Sequence, residues 1–297
     1  MLLPNVFLAG CQKSGSTSLA EYLSAHPDCL LSNPKENAFF SKATNLQDLG
    51  GYTTSFTGGG GPHPRVIVDA TTENMANPRA AAFIAGALGQ DIKAIFMLRA
   101  PAARAYSGYL HLFKRGHERR EPGAVLTNLG EDQDQAEQTE LRRLARALVE
   151  RRITPEPYKR RYDDYLWSFR YIANTSYRRQ VARYEAQFGA ANVLVLTLED
   201  ALRSPEAMRG QLSGFLDLDP SGFPAALPHE NPTSLPEQPS LRSRISRIVK
   251  RRPNAVDVIP VPVKAEPAIA QGLTELFRGE TVYWSERLGV DLAELGW

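Results

Sequence analysis

The chain has 297 residues, of which 42% are hydrophobic and 23% are charged. This is the composition of a globular protein long enough to bury a full hydrophobic core. The formal net charge of +2 excludes a protein that binds nucleic acid through its overall charge. Two cysteines are too few for a disulfide framework. The sequence has neither a signal peptide nor an apolar run long enough to span a membrane, so a soluble cytoplasmic protein is expected.

The first informative segment is a turn between two predicted elements near the start of the chain. Residues 5–9 predict a buried strand and residues 16–25 predict a helix. Between them, Gly10 and Gly15 bracket a loop that reads Gly-Cys-Gln-Lys-Ser-Gly-Ser-Thr. A strand, a glycine-bounded turn and a helix start form a phosphate cradle, because backbone N–H groups and the positive end of the helix dipole converge on one anion.

The position of the lysine in this loop departs from the nucleoside-triphosphate P-loop, G-x-x-x-x-G-K-[ST]. Gly10 and Gly15 have the P-loop spacing, but Ser16 stands where the P-loop lysine belongs, and the lysine of the loop is Lys13. This displacement therefore decides what the loop binds. Cys11 lies in the same loop with no histidine near it in sequence, and it is interpreted as a small buried side chain rather than a nucleophile.

Downstream, strand patterns alternate with helix patterns. Buried strands are predicted at 66–69, 92–98 and 193–196, and helices at 80–88, after Pro101, at 174–188, at 205–217 and again from about 265. The alternation predicts a P-loop-like α/β fold, a three-layer sandwich with a central, mostly parallel sheet flanked by helices. We expect residues 1–297 to form a single domain, with the polar stretch 117–170 as an insertion or lid on the substrate side.

A second anion site is predicted at the end of the strand 92–98. Arg99 follows this strand, at the strand end where ligands of open α/β sheets bind, and Ser107 lies in the helix that begins at Pro101. Arginine suits such a site because its planar fork holds two phosphate oxygens at once. Two anion sites on one sheet edge indicate a ligand with two separated phosphates.

Four segments together resemble one enzyme family. The cradle is similar to the 5′-phosphosulfate loop of sulfotransferases that use 3′-phosphoadenosine 5′-phosphosulfate (PAPS), and Leu98–Tyr109 resembles their 3′-phosphate motif. Pro34–Phe40, after His26-Pro27, resembles the K-E-x-x-F-F stretch of the heparan-sulfate-type branch and its bacterial relatives. Leu288–Trp297 resembles the family's C-terminal helix and tryptophan.

The resemblance implies a role for each matched residue. PAPS is the sulfate donor and no metal is required, with Lys13 stabilising the leaving phosphate and Glu36 acting as general base. Arg99 and Ser107 hold the 3′-phosphate. The 5′-phosphate contacts are Gln12, Lys13, Ser14, Gly15, Ser16, Thr17 and Ser18. A loop at 229–252 covers the donor in the family, and Arg242 is selected from it as a further phosphate contact.

Several alternatives stay open. His111 and His117 are rival bases, and Asp69 with Glu73 is a third candidate group. The sugar-sulfating branch often has a lysine in the segment after Asp69, which this chain lacks, so a sugar acceptor is not indicated over the others. The candidate acceptors are a glycan, a lipid, a small alcohol and a carrier-bound acyl group. A monomer or a homodimer is expected. The alternative functions are a non-catalytic nucleotide- or phosphate-binding module and a P-loop kinase.

Overall fold

The computed structural model describes residues 2–42, 49–57, 64–159, 166–228 and 264–297. The predicted donor-covering loop, with Arg242, lies outside these described residues.

A five-stranded sheet forms the centre of the molecule. Its strands are β1 Val6–Gly10, β2 Cys29–Leu31, β3 Val66–Asp69, β4 Lys93–Leu98 and β5 Val193–Thr197. Their order is β2-β3-β1-β4-β5 and every pairing is parallel. The predicted α/β fold is confirmed, with a sheet that is parallel throughout. The sequence did not indicate β2, because three residues are too few to show a period.

The helices lie in the connections between the strands and in the part of the chain that follows β5. They are α1 Ser16–Ser24, α2 Phe39–Lys42, α3 Leu49–Thr53, α4 Ala80–Leu88, α5 Pro101–Lys114, α6 Pro122–Leu126, α7 Gln133–Val149, α8 Glu156–Lys159, α9 Tyr177–Phe188, α10 Leu198–Arg203, α11 Pro205–Leu216, α12 Pro267–Leu276 and α13 Arg278–Leu288. Short 3₁₀ turns occupy Thr54–Phe56, Thr72–Met75, Trp167–Phe169, Ala173–Thr175, Ala190–Asn192 and Pro220–Gly222. None of these described helices is both long and apolar enough to cross a membrane.

Both faces of the sheet are covered, which is why its central strands are continuous apolar runs. Successive side chains of a strand point to opposite faces. Leu8 of β1 packs on the face that carries α1 and α11, and its neighbour Phe7 packs on the face that carries α4, α9 and α13. Ile95 and Phe96 of β4 divide between the two faces in the same way. These helices and the sheet form the three predicted layers.

A further hydrophobic cluster lies beside the sheet. Leu110 of α5, Leu144 of α7 and Leu273 of α12 are buried in it. The chain enters and leaves the α6–α7 segment at one place, because Glu118 and Ile153 form an isolated antiparallel bridge. That the stretch 117–170 is an insertion or a lid on the substrate side stays a prediction.

The sheet order determines where a ligand site forms. In the sheet, β3 and β2 lie on one side of β1, and β4 and β5 lie on the other side. The loops that follow β1 and β4 therefore diverge from neighbouring strand ends, and the crevice between them is where doubly wound folds bind their ligands. The loop after β1 contains Lys13, and Arg99 directly follows β4.

Candidate active site

The cradle loop joins β1 to α1, and close packing restricts both of its glycines. Gly15 precedes α1 with a φ of 81°, in the left-handed region, and a Cβ atom there would lie 2.7 Å from Leu198 Cδ1. A Cβ atom on Gly10 would lie 2.4 Å from Met75 Sδ. The loop backbone thus packs against the segments that follow β5 and β3.

The predicted cradle residues occupy this loop and the first turn of α1. Residues 16–18 form that first turn, in which the backbone N–H groups have no partner within the helix. Gln12 and Lys13 are half-buried. Ser14 is completely buried, and its Oγ has no hydrogen-bond partner among the described residues.

The second predicted anion segment meets the first. Arg99, directly after β4, donates a hydrogen bond of 3.4 Å from Nη1 to the carbonyl oxygen of Lys13. Ser107 lies two turns into α5 and is buried. Arg99 and the cradle, which are far apart in the sequence, therefore border the same crevice.

Arg104 of α5 also supports the cradle. Only 1% of this residue is exposed, and its guanidinium donates to Gln12 O at 3.2 Å, Tyr171 O at 3.0 Å and Thr175 Oγ1 at 3.2 Å. These acceptors offset the cost of burying a charge. Sequence reasoning assigned Arg104 no role, although a charged residue on the mostly apolar buried face of α5 was a signal for one.

Positive charge accumulates around Lys13. Burial lowers the pKa of Lys13, and the positive charges of Arg99, Arg115, Lys114 and Arg104 lower it further. A lysine in this position is held among like charges at a cost in free energy. A bound anion relieves that cost, so the crevice is electrostatically prepared for one.

The two rival histidines border the same positive region. Burial, followed by the charges of Lys13, Arg115 and His117, lowers the pKa of His111 to about 3. Burial and Arg115 also lower the pKa of His117. Both imidazoles are therefore neutral near pH 7, and His111 is a weak base.

Glu36 follows β2 at the same sheet edge. Its Oε1 accepts hydrogen bonds from Lys35 Nζ at 2.8 Å and Thr72 Oγ1 at 3.1 Å, and its Oε2 accepts one from Thr72 N at 2.9 Å. Burial acts to raise the pKa of Glu36. A hydrogen bond in which Glu73 is the donor, the charge and hydrogen bond of Lys35, and the backbone N–H of Thr72 together outweigh burial, so the pKa is lowered. Glu36 is therefore an oriented and ionised carboxylate.

Asp69 anchors the segment that carries Glu36. It is fully buried at the end of β3, where its Oδ2 accepts hydrogen bonds from Tyr52 Oη at 2.6 Å and Asn37 Nδ2 at 3.1 Å. Burial raises the pKa of Asp69. In the part of the chain that the structure describes, no three His, Cys, Asp or Glu side chains are grouped so as to hold a metal ion.

Comparison with known proteins identifies the family. The sulfotransferase domain matches residues 3–238. The chain belongs to the sulfotransferase family. Two curated relatives are each named bifunctional heparan sulfate N-deacetylase/N-sulfotransferase 1. The Caenorhabditis briggsae protein is 30% identical over 128 residues, which are 41% of this chain and 14% of the relative. The Caenorhabditis elegans protein is 31% identical over 115 residues, 37% of this chain and 13% of the relative.

A solved structure shares the fold of this sulfotransferase. The sulfotransferase from Alicyclobacillus acidocaldarius aligns over 100% of both chains, with a TM-score of 0.66 and 23% identity. The curated matches cover only a small part of the relatives' own length. The family match nevertheless favours a sulfotransferase enzyme over a kinase or a non-catalytic binding module.

The structure of this sulfotransferase brings Lys13 and Arg99 together and places Glu36 on the same sheet edge. Sequence reasoning missed Thr72, which binds Glu36 through both its backbone and its hydroxyl. The signal for it was indirect, since Thr72 lies in the segment where related sugar-sulfating enzymes often have a lysine.

Proposed function

We propose that the protein transfers a sulfuryl group from PAPS to an acceptor hydroxyl by in-line displacement. The observation that carries this proposal is the group of cations that surrounds Lys13 and lowers its pKa. A ligand with two separated phosphates fits a crevice in which a cradle and Arg99 adjoin. The buried and unpartnered Ser14 hydroxyl also agrees with a ligand at the cradle.

The donor would be held by residues on both sides of the crevice. Gln12, Lys13, Ser14, Gly15, Ser16, Thr17 and Ser18 would bind the 5′-phosphate, through N–H groups at the start of α1 and the hydroxyls there. Arg99 and Ser107 would bind the 3′-phosphate, and Arg242 is proposed as an additional contact. When bound, PAPS supplies a sulfuryl group that already carries a phosphate leaving group.

Lys13 would stabilise the negative charge that develops on the leaving phosphate. A cation is most effective when it is in place before the charge develops and when water is partly excluded. Lys13 is half-buried in the cradle, next to the start of α1. No P-loop lysine at position 16 is needed for this role.

Glu36 would accept the proton that the acceptor loses. Its lowered pKa keeps the carboxylate ionised near pH 7, and Thr72 and Lys35 hold its orientation. His111, with a pKa of about 3, is the weaker candidate. We also propose that residues 117–170 border the acceptor side, since the end of α5, which directly precedes them, is close to the cradle: the charge of Arg115 lowers the pKa of Lys13, and the charge of Lys13 lowers that of His111.

An amine acceptor is the second candidate, because both curated relatives are named N-sulfotransferases. A transfer assay with radiolabelled PAPS distinguishes the acceptor classes. The panel contains glycans, lipids, small alcohols and carrier-bound acyl groups, together with an amino sugar and its N-acetylated form. Transfer to the free amine alone would replace the hydroxyl proposal with the amine one.

Ligand-induced stabilisation tests the donor class. We expect adenosine 3′,5′-bisphosphate at about a hundredfold excess over its Kd to raise Tm by about 5 °C, because a ligand that binds only the folded protein stabilises it. ATP with magnesium is expected to have a much smaller effect. The measurement is a thermal-shift titration with both ligands. A larger shift with ATP and magnesium would contradict the proposal.

The pH dependence of donor binding tests the charge on Lys13. The protonated lysine attracts phosphate, and its pKa in the free protein is lowered. Affinity for adenosine 3′,5′-bisphosphate should therefore fall as pH rises through this lowered pKa, below the ordinary lysine value of about 10.4. Calorimetry in buffers of different ionisation enthalpy should show proton uptake on binding in that pH range.

Two variants assign the uptake to one residue. Lys13→Arg keeps the charge at all accessible pH values, so the proton uptake should disappear. Lys264→Arg changes an exposed lysine outside the site and should preserve it. Unchanged proton uptake in Lys13→Arg would show that another group is responsible.

A further inference from the structure

The peptide group between Arg99 and Ala100, next to the proposed 3′-phosphate site, is hydrogen-bonded through both its carbonyl oxygen and its N–H. The carbonyl oxygen of Arg99 accepts a hydrogen bond of 2.9 Å from Tyr177 Oη. The N–H of Ala100, in the same peptide group, donates a hydrogen bond of 3.1 Å to Glu199 Oε1. Tyr177 begins α9 and Glu199 lies in the first turn of α10, so two separate elements hold this peptide.

Trp297 connects these two residues. Its indole Nε1 donates a hydrogen bond of 3.0 Å to Glu199 Oε2, and its ring centroid lies 6.1 Å from that of Tyr177. Tyr177 is fully buried and Trp297 nearly so. Burial raises the pKa of Tyr177, so its hydroxyl remains a donor. We call Tyr177, Glu199 and Trp297 the Arg99 clamp.

The same region also touches the cradle. Leu198, the residue before Glu199, packs on Gly15, where a Cβ atom would lie 2.7 Å from Leu198 Cδ1. Two neighbouring residues of α10 therefore contact the two segments: Leu198 packs on the cradle, and Glu199 binds the Arg99–Ala100 peptide group. The distance between the two anion-binding segments is set partly by this short helix.

Glu199 is a carboxylate beside a site that we assign to an anion, and its contacts explain how it is accommodated. Each carboxylate oxygen accepts a hydrogen bond from an N–H group, one from Ala100 and one from Trp297. These donors, and the start of α10, stabilise the negative charge in its place. The Glu199 carboxylate thus binds the Arg99–Ala100 peptide group and is assigned no contact with the ligand.

We propose that the Arg99 clamp is a set of positioning residues that determines selectivity for the 3′-phosphate. This inference rests on the proposed function, since it takes Arg99 to be the 3′-phosphate ligand. An arginine binds phosphate more tightly when its backbone is already fixed in the correct place. A mobile backbone would have to be ordered on binding, which adds an entropic cost. The clamp fixes that backbone through residues to which we assign no contact with the donor.

The test compares two ligands that differ only in the 3′-phosphate. Dissociation constants for adenosine 3′,5′-bisphosphate and adenosine 5′-phosphate are measured for the wild type, Tyr177→Phe, Glu199→Gln and Trp297→Phe. Each variant is expected to bind the bisphosphate about tenfold more weakly, the effect of losing one hydrogen bond to a charged or buried partner. Affinity for the monophosphate should change by less than about threefold.

A matched control separates selectivity from stability. Tyr184 Oη donates a hydrogen bond of 2.8 Å to the carbonyl oxygen of Asn74, so Tyr184→Phe removes a buried hydroxyl–carbonyl bond like that of Tyr177, with its acceptor in the turn after β3 and not in the Arg99 segment. This control should lower Tm and preserve the ratio of the two dissociation constants. The ratio is measured on one preparation, so partial unfolding does not alter it.

The outcomes separate the inference from the proposed function. A wild type that does not prefer the bisphosphate contradicts the proposed function itself. A wild type that prefers it, with clamp variants that keep the same ratio, overturns the clamp. In turnover assays, the clamp variants should raise KM for the donor while kcat at saturation stays within about threefold, because Lys13 and Glu36 are untouched.

Discussion

Replacing Glu36 with glutamine is expected to lower kcat by about 10²- to 10⁴-fold, the usual contribution of a positioned general base. Glutamine keeps the size of the side chain and accepts a hydrogen bond from Thr72, but it cannot accept the acceptor's proton. The Kd for adenosine 3′,5′-bisphosphate should stay within about twofold, because we assign Glu36 no part in donor binding. Single-turnover sulfate transfer and equilibrium binding measure the two effects separately.

The control for Glu36→Gln is Glu206→Gln, whose side chain is 91% exposed at the start of α11. His111→Gln tests the rival base and should lower kcat by less than about fivefold. Because the pKa of Glu36 is lowered, the base is already ionised at the pH at which an ordinary glutamate titrates, and at every higher pH. Loss of rate through protonation of the base should therefore occur only below about pH 4.3. A large loss in His111→Gln with near-normal Glu36→Gln would transfer the role to the histidine.

Replacing Lys13 with methionine is expected to lower kcat by about 10²- to 10³-fold, the effect of removing one group that stabilises charge in a transition state. Unlike Glu36→Gln, this variant should also bind the donor more weakly, since we propose that the lysine contacts the donor both before and during transfer. The change should raise Tm of the unliganded protein. The pKa of Lys13 is lowered by burial and by neighbouring cations, so its charge destabilises the folded state at neutral pH.

The combination of higher Tm and lower activity distinguishes a functional lysine from a structural one. Lys264→Met, at an exposed position, is the control and should change neither property. Steady-state kinetics and thermal unfolding without ligand measure both. If Lys13→Met lowered Tm or kept normal turnover, the assignment of Lys13 to the leaving phosphate would be wrong.

The amino-acid sequence predicted the parts of the fold that depend on near neighbours. The cradle is one, because Gly10, Lys13 and Gly15 act through a short turn whose glycine spacing shows its geometry. The alternation of strands and helices is another, since buried strands are apolar runs. It did not reveal β2 or α10, because elements this short leave no periodic pattern.

The candidate site was predictable where a motif supplied residue types in a fixed order. Such motifs predict Lys13, Glu36, Arg99 and Ser107 as site residues, and their proposed roles await the experiments above. The sequence could not show what holds them. Glu36 is oriented by Thr72, and the cradle is supported by Arg104, whose buried charge binds carbonyl oxygens from two segments.

By itself, the sequence determined the α/β class, the cradle with its displaced lysine and the family. Each of these depends on patterns or motifs whose residues are near neighbours along the chain. Only the tertiary structure decided the strand order, the gathering of cations around Lys13 and the Arg99 clamp. The physical reason is that parallel strands bring loops from distant parts of the chain to one edge of the sheet. Contacts such as that between Ala100 and Glu199 exist only after the sheet has formed.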